Sequence, residues 1–138
     1  MSLSPHADVD TSVELRLVVP DADAVSLPVA LRYRRADPFA VTVAFSGDDV
    51  SVEWVFAREL LLTGLNHPCG DGDVHVWPSW RGGNDLVLIA LSSPDGRAVL
   101  EADATDLRSF LDATIELVHP GTETDHVDVD AAIATLFA

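Results

Sequence analysis

Between residues 12 and 103 the chain repeatedly alternates apolar and polar positions, which is the pattern of half-buried β-strands. Gly, Pro, Asp or Asn residues, which favour turns, separate most of these segments. Because successive strands joined by short turns pair antiparallel, the pattern predicts antiparallel sheets. The predicted strands are residues 12–19, 26–34, 39–45, 50–56, 73–79, 86–93 and 96–103.

Two of these segments also predict where their strand lies in a sheet. Pro28 has no backbone N–H to donate, so the second strand is predicted to lie at an edge or to contain a bulge. Residues 86–91 (LVLIAL) are apolar on both faces, which predicts a strand with neighbours on both sides.

The apolar period changes at residue 58. Leucines at 60–62, beside the charged pair Arg58 and Glu59, predict a short helix that stops at Gly64. We expect the preceding strand and this helix to be architectural: Trp54 and Phe56 would fill the core, and the leucines would seal it.

Two further helices are predicted in the C-terminal part of the chain. One begins after a cap at Asp103 or Thr105 and ends before Pro120 and Gly121. The other begins at an Asp128 cap and runs to the end of the sequence. The apolar face of the first consists of Leu107, Phe110, Leu111, Ile115 and Val118.

The order of elements predicts an α+β domain of 138 residues. It would contain antiparallel β-sheets of about seven strands, a short mid-chain helix and two C-terminal helices. We expect a single domain over residues 1–138, with residues 1–11 as a flexible N-terminal tail.

Charge is the strongest feature of the composition. There are 23 acidic residues against 8 basic ones, every base is Arg, and the formal net charge is −15. Such a charge repels phosphate backbones and anionic membrane surfaces, so it argues against nucleic acid and membrane partners.

The expected location is cytoplasmic. The first ten residues carry acids where a signal peptide needs basic and then apolar residues. No apolar run approaches the roughly 18 residues that would cross a bilayer. Cys69 is the only cysteine, which excludes an intrachain disulfide and fits a reducing compartment.

Residues 67–75 (HPCGDGDVH) are the best candidate for metal or catalytic chemistry. His67, Cys69 and His75 are ligand types that zinc accepts, but their spacing matches no recurrent zinc motif. Asp71 and Asp73 lack the further oxygen ligands of a calcium loop. We interpret the segment as a Gly-rich turn and predict a protein that is not an enzyme and has no metal or cofactor. An enzyme or metalloprotein built on the two histidines and the cysteine is the weakest of three hypotheses.

Two surface features are candidates for partner binding. Trp80 lies in a Ser-Trp-Arg-Gly-Gly turn where burial is hard to arrange, so we expect it exposed beside Arg81. Such a tryptophan could be a protein hot spot or a base-stacking platform, and the acidic composition favours the hot spot. The acidic residues around His126 are interpreted as a solvated loop, with a docking segment as the alternative.

Six motifs in this order resemble the SsgA-like family of actinomycete sporulation and cell-division proteins. They are LRLVV, LPVALRYRRADPFAV, VEWVFARELLLTGL, GDGDVHVWPS, LVLIALSSPDGRAVLEA and HPGTE. The likeness extends from about Val13 to Leu136. No single motif is specific, but their joint order and spacing are.

The resemblance implies a fold similar to the Whirly and mitochondrial RNA-binding proteins, with two antiparallel sheets and helices on one side. It also implies a homo-oligomer, a trimer in the family, and no catalytic residues. Family members act in septum formation, where they help recruit and organise FtsZ together with SsgA-type division proteins.

Our first hypothesis is therefore a non-enzymatic adaptor that helps position FtsZ at the septum during sporulation-specific division. Its partner-binding candidates are Arg58, Glu59, Trp80 and Arg81.

The alternative hypothesis is a single-stranded nucleic-acid-binding protein of Whirly-like fold. It requires Arg32, Arg34, Arg35 and an exposed tryptophan on one surface, with the acidic residues elsewhere.

Overall fold

The computed structural model describes residues 8–46 and 51–126. These residues form strands, two α-helices and a 3₁₀ helix, most of which the sequence pattern predicts. The strands are β1 (Asp8–Leu17), β2 (Val25–Arg34), β3 (Asp37–Ser46), β4 (Ser51–Ala57), β5 (Cys69–Asp71), β6 (Val74–Arg81), β7 (Asn84–Ser93) and β8 (Gly96–Asp103). The α-helices are α1 (Arg58–Gly64) and α2 (Ala104–Leu117), and Glu123–His126 form the 3₁₀ helix.

The strands form one antiparallel sheet in the order β4-β3-β2-β1-β8-β7-β6-β5. This order describes two four-stranded meanders, β1–β4 and β5–β8, each followed by a helix. The meanders meet where β1 pairs with β8 through Arg16↔Glu101 and Leu17↔Leu100, and the Val18 N–H just beyond β1 donates to the Val99 carbonyl at 2.9 Å. Within the described residues there is therefore one continuous sheet, where the family resemblance implied two, and the Whirly-like architecture stays a prediction.

The sheet curls around the helices as a half-barrel. Helix α1 contacts β3 and β4 near one edge of the sheet and β5 and β6 near the other edge. Helix α2 packs on β1, β7 and β8 in the middle of the sheet. Every second side chain of the central strands points toward the helices, so the alternating pattern buries one continuous core.

The expected architectural role of β4 and α1 is confirmed. Helix α1 has the predicted bounds, and Leu61 is fully buried within it. Phe56 is 3% exposed, while Trp54 is half-buried against the same core, with its ring centroid 6.4 Å from that of Phe56.

Helix α2 buries the predicted apolar face, although Ile115 is only half-buried. Asp103 stands at the N-cap position, but its side chain makes no capping hydrogen bond. Its carboxylate instead accepts a hydrogen bond from Arg16 Nη2 at 3.1 Å, so the predicted cap is replaced by an ion pair. The helix predicted from Asp128 lies outside the described residues.

The strand predictions need two corrections. Strand β1 begins at Asp8, four residues before the predicted start at residue 12, and Asp8 pairs with Arg34. An eighth strand, β5, occupies part of the predicted Gly-rich turn. In both cases strand pairing outweighed the local polar composition.

Strand β2 lies inside the sheet and not at an edge, but the alternative prediction of a bulge fits it, because its register with β3 shifts between Tyr33 and Arg34. Its pairing with β3 begins only at Val29, so Pro28 has a strand neighbour on one side.

Strand β7 lies between β8 and β6, which confirms that its doubly apolar run has neighbours on both sides. None of the helices in the described part of the chain has both the length and the apolarity needed to cross a bilayer.

We expect Gly64→Ala to destabilise the domain because α1 packs directly against β6. A Cβ at this position would lie 2.2 Å from Val76 Cγ1. Overpacking of this kind costs about 1–3 kcal/mol in the free energy of unfolding, measurable by urea denaturation. Val76→Ala removes the nearest of the clashing atoms, so the double variant should be more stable than the sum of the single effects predicts. Strict additivity would contradict the proposed contact.

Candidate functional site

Arg58 is the first residue of α1, and its side chain points into the interior, where it is 2% exposed. Its Nη1 donates hydrogen bonds to the backbone carbonyls of Thr114 at 3.1 Å and Val118 at 2.7 Å. These carbonyls lie at the C-terminal end of α2, where helices leave acceptors unpaired and carry a partial negative charge. Arg58 therefore joins the start of one helix to the end of the other.

The remaining groups around the Arg58 guanidinium come from two other parts of the chain, the 3₁₀ helix and β2. Its Nη2 lies 3.5 Å from Glu123 Oε2 in the 3₁₀ helix. Its central carbon lies 5.0 Å from the centroid of the Tyr33 ring, within range of a cation–π interaction. The Tyr33 hydroxyl in turn donates to the Pro38 carbonyl at 2.9 Å. One buried cation thus contacts both helices, the sheet and the closing segment.

The fold shifts the pKa values of the two titratable neighbours of Arg58 in opposite directions. Burial raises the pKa of Tyr33 to about 12. The pKa of Glu123 is lowered, first by a hydrogen bond from its own backbone N–H, then by one from Gly121 N–H and by the Arg58 charge. Tyr33 is therefore neutral and Glu123 ionised at neutral pH.

A second arginine cluster lies on the other face of the sheet, where the Glu101 side chain is 2% exposed. Arg16 Nε lies 3.3 Å from Glu101 Oε1, and Arg81 Nη1 lies 3.1 Å from the same oxygen. Arg81 Nη2 also donates to Glu101 Oε2, which makes that pair bidentate. The Arg81 side chain remains 67% exposed, so it pairs with a buried carboxylate and still faces solvent.

Trp80 stands near the tip of the β6–β7 hairpin and is 67% exposed. The tip consists of Gly82 and Gly83, which both have positive φ angles and so suit a tight two-residue turn. Trp80 and Arg81 are consecutive in one strand, so their side chains leave opposite faces of the sheet. The hairpin therefore exposes a large aromatic side chain on two strands that pair with each other without a break.

The four partner-binding candidates lie in different environments. Arg58 is interior, whereas Glu59, Trp80 and Arg81 are exposed. Glu59 makes no ion pair or side-chain hydrogen bond to any other described residue. A partner can reach Arg58 only if the segment that covers it moves, and partner roles for all four residues stay predictions. The sequence signal missed the interior role of Arg58 because a charged residue at the start of an amphipathic helix is typical of a solvated position.

The structure does not bring the exposed tryptophan together with Arg32 and Arg34 on one basic surface, as nucleic-acid binding would require. Arg32 lies between two carboxylates, 3.8 Å from that of Asp10 and 3.7 Å from that of Glu53. Trp80 is on β6, separated from Arg32 and Arg34 on β2 by the strands β1, β8 and β7. Acidic groups are therefore interleaved with the arginines and the exposed tryptophan is elsewhere, so the structure does not support this alternative.

The residues of the metal or enzyme hypothesis are likewise separated. Cys69 pairs with Val76 and Gly70 pairs with His75, which puts Cys69 and His75 on opposite faces of the sheet. The Cys69 thiol contacts the Leu60 carbonyl at 3.2 Å, and burial raises its pKa, which disfavours the thiolate. Across residues 8–46 and 51–126, no group of three or more His, Cys, Asp or Glu side chains could hold a metal ion.

Fold and site together define an α+β half-barrel whose buried polar groups hold secondary structure in place and whose exposed groups suit protein contact. Residues 27–123 match the family described as Streptomyces sporulation and cell division protein SsgA. The chain belongs to this family.

The relatives specify the branch of the family. The sporulation-specific cell division protein SsgB of Streptomyces coelicolor is 50% identical over 134 residues, covering 96% of this chain and 98% of that protein. A solved SsgA-like sporulation-specific cell division protein from Thermobifida fusca is 47% identical, with a TM-score of 0.87 over 98% of both chains. A solved structure from work on SsgB mutations that correlate to longitudinal cell division in S. coelicolor is 49% identical, with a TM-score of 0.84 over 91% of this chain and 99% of that one. The motifs identified in the sequence resemble SsgB most closely within the family, and these relatives confirm that likeness.

Replacing Arg58 with Ala should strongly destabilise the domain. The change removes the donor to Thr114 and Val118 and leaves a cavity beside Tyr33. Breaking a buried ionic group of this kind costs about 3–5 kcal/mol in the free energy of unfolding, measurable by urea denaturation. Glu59→Ala, at the exposed neighbour, is the matched control and should change stability by no more than about 0.5 kcal/mol. Equal effects of the two variants would show that Arg58 is not structural.

Tyr33 should make the stability of the domain depend on pH in the alkaline range. Its pKa is 10.0 when unperturbed and about 12 in the fold, so the contribution is complete below pH 10 and is lost as pH rises toward 12. The loss should reach about 2–3 kcal/mol. Tyr33 is the only tyrosine, so ultraviolet absorbance of tyrosinate reports this group alone. Tyr33→Phe should flatten the dependence of stability on pH, and a native titration near the unperturbed value would contradict the proposed burial.

Proposed function

We propose that this protein is a non-enzymatic adaptor that helps recruit or position FtsZ at the septum during sporulation-specific cell division. Membership of the SsgA family, with SsgB relatives that align over nearly the whole chain, supports the cell-division role. Direct contact with FtsZ and location at the septum are the further steps that we propose.

The observation that best supports a contact surface is the exposure of Trp80. Tryptophan is the side chain most enriched at the energetic centres of protein interfaces. Here it projects from a two-stranded hairpin whose pairing is complete from Val74↔Leu91 to Arg81↔Asn84. A binding group on such a frame loses little conformational entropy when it meets a partner.

The charge of the chain predicts how that contact should respond to salt. The net charge is −15, and tubulin-like proteins such as FtsZ are usually acidic as well. Long-range electrostatic attraction is therefore absent, and the contact should rest on apolar anchors and individual Arg–carboxylate pairs. Arg81 can contribute to such a pair from the solvent side, since most of its side chain remains exposed.

Oligomerisation would strengthen a weak contact. We propose a homo-oligomer, a trimer as in the family, which would present several copies of the same surface to one FtsZ polymer. Multivalent attachment raises effective affinity without any additional contact within each copy. SsgA-type division proteins are the further partners that we propose.

Co-sedimentation with FtsZ polymers assembled with GTP tests the proposal. We expect the protein to pellet with the polymers at least as well at about 0.3 M salt as at about 0.05 M, because salt screens the repulsion between two acidic proteins. Trp80→Ala should weaken binding by at least about tenfold, which corresponds to about 1.4 kcal/mol.

Val55→Ala is the matched control, because Val55 is also apolar and 62% exposed but lies on β4, at one edge of the sheet. It should pellet like the unsubstituted protein. Absence of pelleting would mean that any recruitment runs through another protein, and a steep loss with salt would refute the apolar contact.

A further inference from the structure

One nitrogen of the Arg58 guanidinium, Nη2, has no hydrogen-bond acceptor in the described part of the fold. Nη1 is saturated by the carbonyls of Thr114 and Val118, but Nη2 is buried and makes no hydrogen bond to any described residue. The nearest counter-charge is Glu123 Oε2 at 3.5 Å, which is an ion-pair distance and longer than a well-formed hydrogen bond. The fold therefore offers an oriented cationic donor that its own carboxylate only partly uses.

The segment that supplies this carboxylate, residues 119–126, follows the end of α2 and makes several of its hydrogen bonds within itself. Two of these run from Thr122 N–H to the His119 carbonyl and from Asp125 N–H to the Thr122 carbonyl. The ion pair between Arg58 and Glu123 is a polar link from residues 119–126 to the remaining structure. The 3₁₀ helix also packs against β3.

Loss of Glu123 from this position would leave a charge that the protein cannot remove. Arginine does not deprotonate in proteins, and a buried charge without a partner is strongly unfavourable. The guanidinium would still be held by the two helix carbonyls and by the Tyr33 ring at 5.0 Å. It would therefore remain oriented toward the vacated position.

We propose that the space beside Arg58 Nη2 is a carboxylate-binding site, occupied within the chain by Glu123, that accepts a carboxylate from an acidic segment of another protein when residues 119–126 move away. The planar guanidinium matches the planar carboxylate better than a spherical anion. The Glu123 side chain keeps 15% of its surface exposed whereas Arg58 Nη2 is buried, so another carboxylate reaches the position only after Glu123 has left it. This inference does not depend on FtsZ as the partner.

Rescue by a small carboxylate tests the site. Glu123→Ala removes the internal occupant and opens the position to acetate. We expect the variant to melt at a lower temperature than the unsubstituted protein in sodium chloride at neutral pH. Sodium acetate at the same ionic strength should raise its Tm by about 4 °C, once acetate reaches about ten times its dissociation constant.

Three controls isolate the site. The unsubstituted protein should change by less than about 1 °C, because Glu123 already fills the position. Glu123→Gln should show the same lack of response, because the amide occupies the space without a charge. Asp125→Ala removes an exposed carboxylate from the same 3₁₀ helix and should not respond to acetate either.

An equal response of all four proteins to acetate, or no response of Glu123→Ala, would overturn the proposal. If Glu123→Ala is unfolded in chloride, the measurement becomes the folded fraction by near-ultraviolet circular dichroism. Recovery of the fold in acetate but not in chloride supports the site, and failure to recover overturns it.

Discussion

The structure depends on a single buried cation. Arg58 is the first residue of α1 and directly follows β4. Its guanidinium donates hydrogen bonds to carbonyls at the end of α2 and forms an ion pair with the closing 3₁₀ helix. A charge can stay in such a place only if hydrogen bonds and counter-charges surround it, so its position constrains every neighbouring element at once. Apolar packing alone would permit small shifts between the helices, whereas two hydrogen bonds from one rigid guanidinium do not.

Most of the secondary structure could be predicted because the apolar pattern and the fold agree. The alternation along β3 and the leucines of α1 each match a buried face, and both elements lie where the pattern puts them. The short strand β5 could not be found in this way, since Cys69–Asp71 is polar and Gly-rich and becomes a strand only by pairing with β6. Its partner also explains Gly70, where a Cβ would lie 2.3 Å from His75 Nδ1.

The surroundings of the candidate site residues could be predicted from the sequence less completely than the fold. Exposure of Trp80 followed from its place in a Gly-rich turn, because such turns offer little to bury a large ring. The interior position of Arg58 and the burial of Glu101 did not follow, because a charged residue is usually solvated. Their partners come from distant segments: Val118 lies 60 positions after Arg58, and Glu101 lies 85 positions after Arg16. No local pattern encodes contacts over such separations.

The narrow junction between the two meanders has a consequence for how the chain reaches its fold. Within each meander, strands pair with sequence neighbours, and such pairs close short loops. Joining β1 to β8 closes a loop of more than eighty residues and gains two register pairs and the hydrogen bond from Val18 N–H to the Val99 carbonyl. Until that step, β1 and β8 are open edges that could pair with another chain. We therefore expect the junction between β1 and β8 to form late in folding, at a rate set by loop closure. The Arg16–Glu101 ion pair would form only in this last step.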